Sequence, residues 1–226
     1  MIDIQKHEFI MKKIFAEIYS SPELGPILGF KGGTCLYFFY NLKRFSTDLD
    51  FNLIADNFTP QLISQILSKY TNILEFKEKY FTWFWMGSYG KNNSKIKIEI
   101  SKRDYPDEYE NLDFYGLKTK VMTKDYIFAD KLCAISDRKN FQNRDLYDTW
   151  LMFEQNFPVN EQIIKLRTGK NLKNYYLFLI DFIAKNLAEG KSILDGLGEA
   201  LDDKQKTWVK DHLTQKLLLE LKLRSS

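Results

Sequence analysis

Two stretches near the N-terminus, Phe30-Lys-Gly-Gly-Thr-Cys-Leu36 and Ser46-Thr-Asp-Leu-Asp-Phe51, decide the fold of this chain. The first ends an apolar run with two glycines, after which Thr34 can N-cap a helix that continues to about Leu42. The second opens residues 48–54, where polar and apolar side chains alternate as they do in a strand with one buried face. The sequence therefore predicts a strand, a glycine turn, a helix and a second strand, in that order.

A pair of carboxylates stands at the start of the second strand. Asp48 and Asp50 are two residues apart, so both side chains leave the same face of the strand. Two negative charges so close together are unfavourable unless a cation shares them, and a hard cation such as Mg²⁺ or Mn²⁺ prefers oxygen ligands. Gly32 and Gly33 lack Cβ atoms, which lets phosphate oxygens reach backbone N–H groups at the helix N-terminus. Either feature alone is common on solvated strands and in tight turns, but together they favour a metal-dependent phosphate site.

A β-hairpin is predicted between the aromatic run 80–85 and the alternating residues 96–100, with a turn at residues 90–94. Glu99 lies in the second of these strands and faces away from its apolar layer. It can complete the metal site if its strand neighbours the strand of the two aspartates. The alternative is a surface carboxylate balanced by the lysines of the same strand, and the sequence leaves both interpretations open.

The rest of the chain is predicted to be largely helical. Apolar periodicity indicates helices over residues 4–19 and from Thr59-Pro60 to about residue 70. A helical pattern begins again at Thr123 and continues to the end of the chain. We therefore expect a boundary near residue 120 that separates two parts, residues 1–120 and residues 121–226.

Charged residues in the second part are denser than their apolar surroundings require. They are Lys131, Asp137, Arg138, Arg144, Asp145 and Asp148. Such residues usually form a solvated face. However, Asp145 and Asp148 are three residues apart on a predicted helix, so they project on the same side with Arg144 beside them.

Composition excludes several classes of protein. The net charge is only +3, so a polyanion requires a local basic patch rather than the field of the whole molecule. Cys35 and Cys133 are too few for a disulfide framework, and each lies in an apolar pattern typical of a buried free thiol. No apolar segment has the length of a signal peptide or a membrane span, so we expect a cytoplasmic protein that does not contact membranes. His7 and His212 lack a zinc-type arrangement and are assigned to no chemistry.

The motifs resemble those of the AbiEii/AbiGii nucleotidyltransferase toxin family. Its members carry Lys-Gly-Gly-Thr, then Arg-x-Ser-x-Asp-Leu-Asp-Phe, and later Lys-Leu-x-Ala and Arg-Asp-x-x-Asp. In this chain the four motifs read Lys31-Gly-Gly-Thr34, Arg44-Phe-Ser-Thr-Asp-Leu-Asp-Phe51, Lys131-Leu-Cys-Ala134 and Arg144-Asp-Leu-Tyr-Asp148. Four motifs in the same order are far more specific than any one of them.

The resemblance implies an α+β, polymerase-β-like nucleotidyltransferase fold: a small mixed sheet with helices, followed by a helical C-terminal lobe that completes the nucleotide cleft. Residues 1–120 would form the nucleotidyltransferase core. The implied metal ligands are Asp48, Asp50 and Glu99, and the implied catalytic residues are these three with Lys131 and Asp148, which would act from the second lobe across the cleft. The implied phosphate-binding residues are Lys31, Gly32, Gly33, Thr34, Arg44 and Ser46, and Arg144 and Asp145 would support the site.

The implied reaction transfers a nucleoside monophosphate from a nucleoside triphosphate to an acceptor hydroxyl, with Mg²⁺ or Mn²⁺ as the cofactor. The first acceptor that the resemblance suggests is RNA, particularly a tRNA 3′ end, but other members of the superfamily modify proteins or small molecules, and the sequence does not choose among these. The protein would be the toxin of a toxin–antitoxin or abortive-infection system, with its antitoxin encoded by a neighbouring gene. Two other functions stay open, a catalytically inactive nucleotide-binding module and a metal-dependent phosphohydrolase. The intact glycine turn and aspartate pair argue against the first, and the missing His-Asp cluster argues against the second.

Overall fold

The computed structural model describes residues 3–90, 94–188 and 192–225. The chain divides into two compact units. The first comprises Met1–Asn41 and Phe45–Thr123, and the second comprises Leu42–Arg44 and Lys124–Ser226.

The first unit is built on a mixed sheet of seven strands. In chain order they are β1 (Leu28–Lys31), β2 (Asp48–Leu53), β3 (Asn72–Lys79), β4 (Thr82–Tyr89), β5 (Ser94–Ser101), β6 (Tyr109–Phe114) and β7 (Leu117–Met122). Their order across the sheet is β3-β4-β5-β2-β1-β7-β6, so that β3 and β6 are the edge strands. The pairs β2–β5 and β1–β7 are parallel, and the remaining pairs are antiparallel.

In the part of this unit that the structure describes, three helices accompany the sheet: α1 (Ile4–Ser20), α2 (Gly32–Phe39) and α3 (Pro60–Ser68). One face of the sheet is apolar and packs on α1. There the ring centroids of Phe15 and Phe30 lie 4.5 Å apart, and those of Phe30 and Phe51 lie 5.2 Å apart. All three rings are fully buried, and burial of this size supplies much of the stability of the unit.

The predicted elements of the first unit are confirmed, with corrections at their ends. Thr34 does not N-cap α2, because the helix begins at Gly32 with Lys31 as its cap residue, and the Thr34 hydroxyl bonds elsewhere. The helix ends at Phe39 rather than near Leu42. The hairpin of β4 and β5 is confirmed by its antiparallel register, although the turn predicted at residues 90–94 lies partly outside the described residues.

The second unit is helical in its described part. Its elements are α4 (Lys124–Asp137), α5 (Asn143–Glu154), α6 (Glu161–Thr168), α7 (Leu172–Ala188), a 3₁₀ turn (Gly198–Ala200), α8 (Asp203–Trp208), a π-helical turn (Val209–Leu213) and α9 (Thr214–Arg224). The predicted burial of both cysteines as free thiols is confirmed. Among the helices of the described ranges, none has the length and apolarity to cross a membrane.

Candidate active site

Asp48 and Asp50 share one face of β2, as predicted, because the intervening Leu49 is fully buried on the other face. Both aspartates are half-buried. In the parallel pairing of β2 with β5, Asp48 lies opposite Lys97 and Asp50 lies opposite Glu99. Residues opposite each other in a sheet point to the same side, so these four charged side chains share one face of the sheet, which we call the carboxylate face after Asp48, Asp50 and Glu99.

The glycine turn lies directly against this face. Gly32 has a φ of +80°, a left-handed conformation that glycine adopts without strain. A Cβ atom on Gly32 would lie only 2.3 Å from Oδ2 of Asp50, so the carboxylate also requires the missing side chain. The register places Lys31 opposite Asp50 on the same face. The first helical turn of α2, whose backbone N–H groups have no partners within the helix, therefore begins beside the carboxylate.

Two buried hydroxyls fix the start of β2 to α2. Thr34 is fully buried and donates its hydroxyl proton to the backbone oxygen of Asp48. The Thr34 hydroxyl oxygen also lies 3.0 Å from Oγ of Ser46. Both hydroxyls are thus engaged within the protein, and contacts of these two side chains with phosphate stay a prediction.

A buried histidine holds the same segment from the side of α1. Nε2–H of His7 donates to the backbone oxygen of Thr47 at 2.9 Å, and the hydroxyl of Tyr89 bonds to Nδ1. Burial lowers the pKa of His7 and so favours the neutral ring, in which Nδ1 accepts from the Tyr89 hydroxyl. His7 is a residue to which the sequence alone assigned no chemistry. Its place on the stripe of α1 that also carries Met11 and Ile14 could have marked it as buried.

Glu99 lies on the predicted face, and its strand neighbours that of the aspartates, as the prediction required. The side chain is exposed to solvent. Lys97 Nζ lies 3.9 Å from Oδ2 of Asp48, which gives one aspartate a cation from the protein itself. Within the described ranges, no three His, Cys, Asp or Glu side chains are grouped so that they could hold a metal ion. A three-carboxylate site with Glu99 therefore stays a prediction.

The two aspartates fit a hard divalent cation. Their carboxylate oxygens are the ligand type that Mg²⁺ prefers, and both side chains are partly open to solvent, so phosphate or water can complete the coordination. Gly32 itself places no side chain beside Oδ2 of Asp50, where a Cβ atom would lie only 2.3 Å from that oxygen.

A buried cluster of charges lies within the second unit, where it joins α4, α5 and the segment 42–44. Asp145 and Asp148 are completely buried, and both contact Lys131, which is 7% exposed. Lys131 Nζ lies 2.7 Å from Oδ2 of Asp148 and 3.3 Å from Oδ1 of Asp145. The two aspartates therefore share one side of α5, as predicted, but they are buried rather than solvated.

Two arginines contact this cluster, the buried Arg44 and the exposed Arg138. Arg44 donates through Nε and Nη2 to the two carboxylate oxygens of Asp148, at 2.6 Å and 2.7 Å. Arg138 donates through Nε to Oδ2 of Asp145 at 2.6 Å. Arg138 therefore contacts Asp145 from a position before α5 in the chain. The arginine predicted to lie beside Asp145 is Arg144, which is half-buried on α5 itself. Binding of phosphate by Arg44 stays a prediction, because the structure gives its guanidinium a carboxylate partner.

The charge of Asp148 depends on these partners. Burial by itself disfavours a carboxylate, but the attraction of Arg44 and Lys131 and their hydrogen bonds outweigh it and lower the pKa of Asp148 to about 2. The same carboxylate raises the pKa of Arg44 against the effect of its burial. Asp148 is therefore ionised at neutral pH, and Lys131 lies between the carboxylates of Asp145 and Asp148.

Comparison with known proteins identifies the family. The profile described as "Nucleotidyl transferase AbiEii toxin, Type IV TA system" matches residues 13–211 of the 226 in this chain. The chain belongs to the AbiEii nucleotidyltransferase toxin family. The comparison with curated proteins gave no match. The family resemblance inferred from the four motifs is thus confirmed.

Two solved structures from Helicobacter pylori resemble the whole chain of this AbiEii protein. JHP933 has a TM-score of 0.60 and 25% sequence identity, over 100% of this chain and 96% of the other. A second protein, assigned to the nucleotidyltransferases, has a TM-score of 0.59 and 23% identity, over 100% and 99% of the two chains. The α+β nucleotidyltransferase fold predicted from the sequence is therefore confirmed.

Proposed function

We propose that this AbiEii protein transfers a nucleoside monophosphate from a nucleoside triphosphate to an acceptor hydroxyl, at the face of Asp48 and Asp50. The observation that supports the proposal is the close approach of the glycine turn to Oδ2 of Asp50. This approach places backbone N–H groups at a helix N-terminus, which can bind phosphate, beside a carboxylate, which can bind a metal ion. A turn that merely reversed the chain would not need to lie against a carboxylate.

In the proposed reaction the acceptor oxygen attacks the α-phosphorus, the bond between that phosphorus and the bridging oxygen breaks, and pyrophosphate leaves. Mg²⁺ or Mn²⁺ held by Asp48 and Asp50 would share the negative charge of the triphosphate and assist loss of the hydroxyl proton. Lys31, opposite Asp50, and the first turn of α2 would bind phosphate oxygens. Glu99, on the next strand, would complete the set of metal ligands and orient the acceptor hydroxyl, whose proton would pass to water.

The roles of Lys131 and Asp148 are proposed from the family motifs. The structure supports a second role beside catalysis, because both side chains belong to the buried cluster of the second unit. A rigid ammonium with two carboxylate partners is positioned with little loss of side-chain freedom when a substrate arrives. We propose that Arg144 and Asp145 support this arrangement rather than react.

The proposed acceptor is RNA, with a tRNA 3′ end as the first candidate, and the proposed site of action is the cytoplasm, where nucleotides and RNA are abundant. Membership of a type IV toxin family further supports an antitoxin partner, which we propose is encoded by a neighbouring gene.

The test is incubation of the protein with each α-labelled nucleoside triphosphate, Mg²⁺ and total cellular RNA, with pyrophosphate measured in parallel. The proposal expects one class of macromolecule to gain label while pyrophosphate accumulates in equal amount. Release of inorganic phosphate without labelling would show a phosphohydrolase instead. Tight nucleotide binding with neither product would show an inactive binding module.

A further inference from the structure

The carboxylate face continues past β5 onto β4 and the edge strand β3. The register places Phe84 of β4 opposite Glu99, and Lys77 of β3 opposite Phe84. Opposed residues point to the same side, so Asp50, Glu99, Phe84 and Lys77 form one row across four strands. Neighbouring strands are about 4.8 Å apart, which makes the row roughly 14 Å long.

Parallel rows extend this face on either side. One leads from Asp48 through Lys97 and Met86 to Glu75, and Lys79 ends the other, opposite Thr82. In these rows, the part of the face that lies beyond Asp50 and Glu99 therefore carries three lysines and one carboxylate, that of Glu75, around the ring of Phe84. We name it the outer face and define it by four residues: Lys77, Lys79, Phe84 and Lys97.

The outer face is open to solvent. The side chains of Lys77 and Lys97 are 57% and 45% exposed. Lys77 forms an ion pair with Glu75, and Lys79 Nζ lies 5.1 Å from the ring centroid of Phe84. The ring is half-buried, so it is fixed by the sheet while part of it remains accessible. A rigid aromatic ring flanked by flexible cations is the arrangement that proteins use to bind single-stranded nucleic acids.

We propose that the outer face binds the 3′ segment of a single-stranded RNA and directs its terminal hydroxyl toward Asp48 and Asp50. A base would stack on Phe84, and phosphates on its two sides would contact Lys77, Lys79 and Lys97. The inference rests on the proposed function, because the 3′ end of the bound RNA is expected to point toward the aspartates only if they are the site of transfer.

Charge and shape favour single-stranded RNA over other occupants. The net charge of +3 provides little general attraction for a polyanion, so binding requires a local patch of this kind. A duplex keeps its bases stacked on one another and would leave the Phe84 ring without a partner. A protein partner of stable affinity would require a wider apolar centre than one half-buried ring.

The experiment measures binding separately from chemistry. A fluorescein-labelled single-stranded RNA of about twelve nucleotides is titrated with the whole protein in EDTA, and anisotropy is followed at several salt concentrations. Phe84→Leu, which keeps apolar bulk but removes the π-face, should weaken binding by about tenfold, and Phe84→Tyr should restore it. The double variant Lys77→Gln/Lys79→Gln should lower the slope of log affinity against log salt by about 0.7 for each phosphate that these lysines no longer neutralise.

The matched control is Lys13→Gln/Lys118→Gln, which removes the same charge elsewhere in the first unit. Lys13 is exposed on α1, against the opposite face of the sheet, and Lys118 is exposed on β7. Equal affinities of the outer-face variants and this control would overturn the proposal. So would an absence of RNA binding by the natural protein, including the case where the outer face proves to bind a protein.

Failure of this proposal is distinguishable from failure of the transfer reaction. If RNA binding depends on the outer face but no nucleotide gives pyrophosphate, the proposed transfer reaction is wrong and the proposed RNA-binding surface is correct. If the outer-face variants label RNA at an unchanged rate, the proposed RNA-binding surface is wrong and the proposed transfer reaction is correct.

Discussion

A side chain at position 32 would overlap the Asp50 carboxylate, since a Cβ atom on Gly32 would lie 2.3 Å from Oδ2 of Asp50. We expect Gly32→Ala to lower the free energy of unfolding by about 2–4 kcal/mol, through its left-handed φ and through overpacking against the carboxylate. Gly116→Ala is the matched control, because Gly116 has a φ of +85° and no atom within 4 Å of its hypothetical Cβ. Gly116→Ala should lose only the part of the unfolding free energy that comes from the left-handed φ, about 1–2 kcal/mol. Equal losses in urea denaturation would show that Asp50 moves aside without cost.

Asp48 and Asp50 carry the proposed metal site, so each should be indispensable for transfer and dispensable for folding. We expect Asp48→Asn and Asp50→Asn to reduce pyrophosphate release by at least about a hundredfold. Their thermal stability should stay equal or rise, because repulsion between the two carboxylates is relieved. Asp56→Asn, an exposed loop position with the same change of charge, should leave the rate unchanged. Near-normal turnover by either aspartate variant at saturating Mg²⁺ would contradict the assignment of that aspartate as a metal ligand.

The buried cluster shows how α4 and α5 depend on charges that the sequence alone suggested were solvated. Asp148 connects α5 to Lys131 of α4 and to Arg44 in the segment 42–44. Removal of one partner from a buried ion pair leaves the others without compensation and typically costs about 3–5 kcal/mol. We expect Asp148→Asn to lose about that amount of unfolding free energy at pH 7, whereas Asp181→Asn on the exposed side of α7 should lose less than about 0.5 kcal/mol.

The pH dependence of that loss follows from the pKa of Asp148, which is lowered to about 2 in the folded protein. A carboxylate with a depressed folded pKa stabilises the protein above its unfolded pKa of about 3.9, and the contribution disappears as the pH falls through the folded value. The difference in unfolding free energy between the natural protein and Asp148→Asn should therefore narrow by about 2 kcal/mol between pH 5 and pH 2. A difference that stays constant over this range would show that Asp148 is not ionised in the cluster.

The function of the whole molecule as a toxin is testable in cells. We expect expression of the natural chain to slow growth, and we expect both Asp48→Asn and Lys131→Ala to relieve the arrest. The two variants should differ in stability, because only Lys131 belongs to the buried cluster. Amounts of folded protein must therefore be measured beside growth, and Asp56→Asn should remain toxic. Arrest that persists in both variants at normal expression would indicate a burden of overexpression or a non-enzymatic action.

Local sequence patterns were sufficient where one face of an element is buried. The alternation of β2 and β5 and the stripe of α1 each produce a regular period of apolar residues, and these elements lie where predicted. By contrast β3 was missed, because almost all of its residues are exposed and an edge strand with charged side chains on both faces has no period to detect. Strands β6 and β7 were also missed; β6 is the other edge strand, and only one of its six residues is buried.

The sequence by itself determined the order of the strand, glycine turn and aspartate strand, and through four ordered motifs it determined the family. These are local or ordered features, so residue spacing carries them. Only the tertiary structure decided what lies beside the aspartates. The pairing of β2 with β5 brings Lys97 and Glu99 onto their face, and the folding of α1 brings His7 against Thr47, although many residues separate these groups in the chain. Strand order and helix packing arise from burial of the whole apolar face, which no single stretch of sequence specifies.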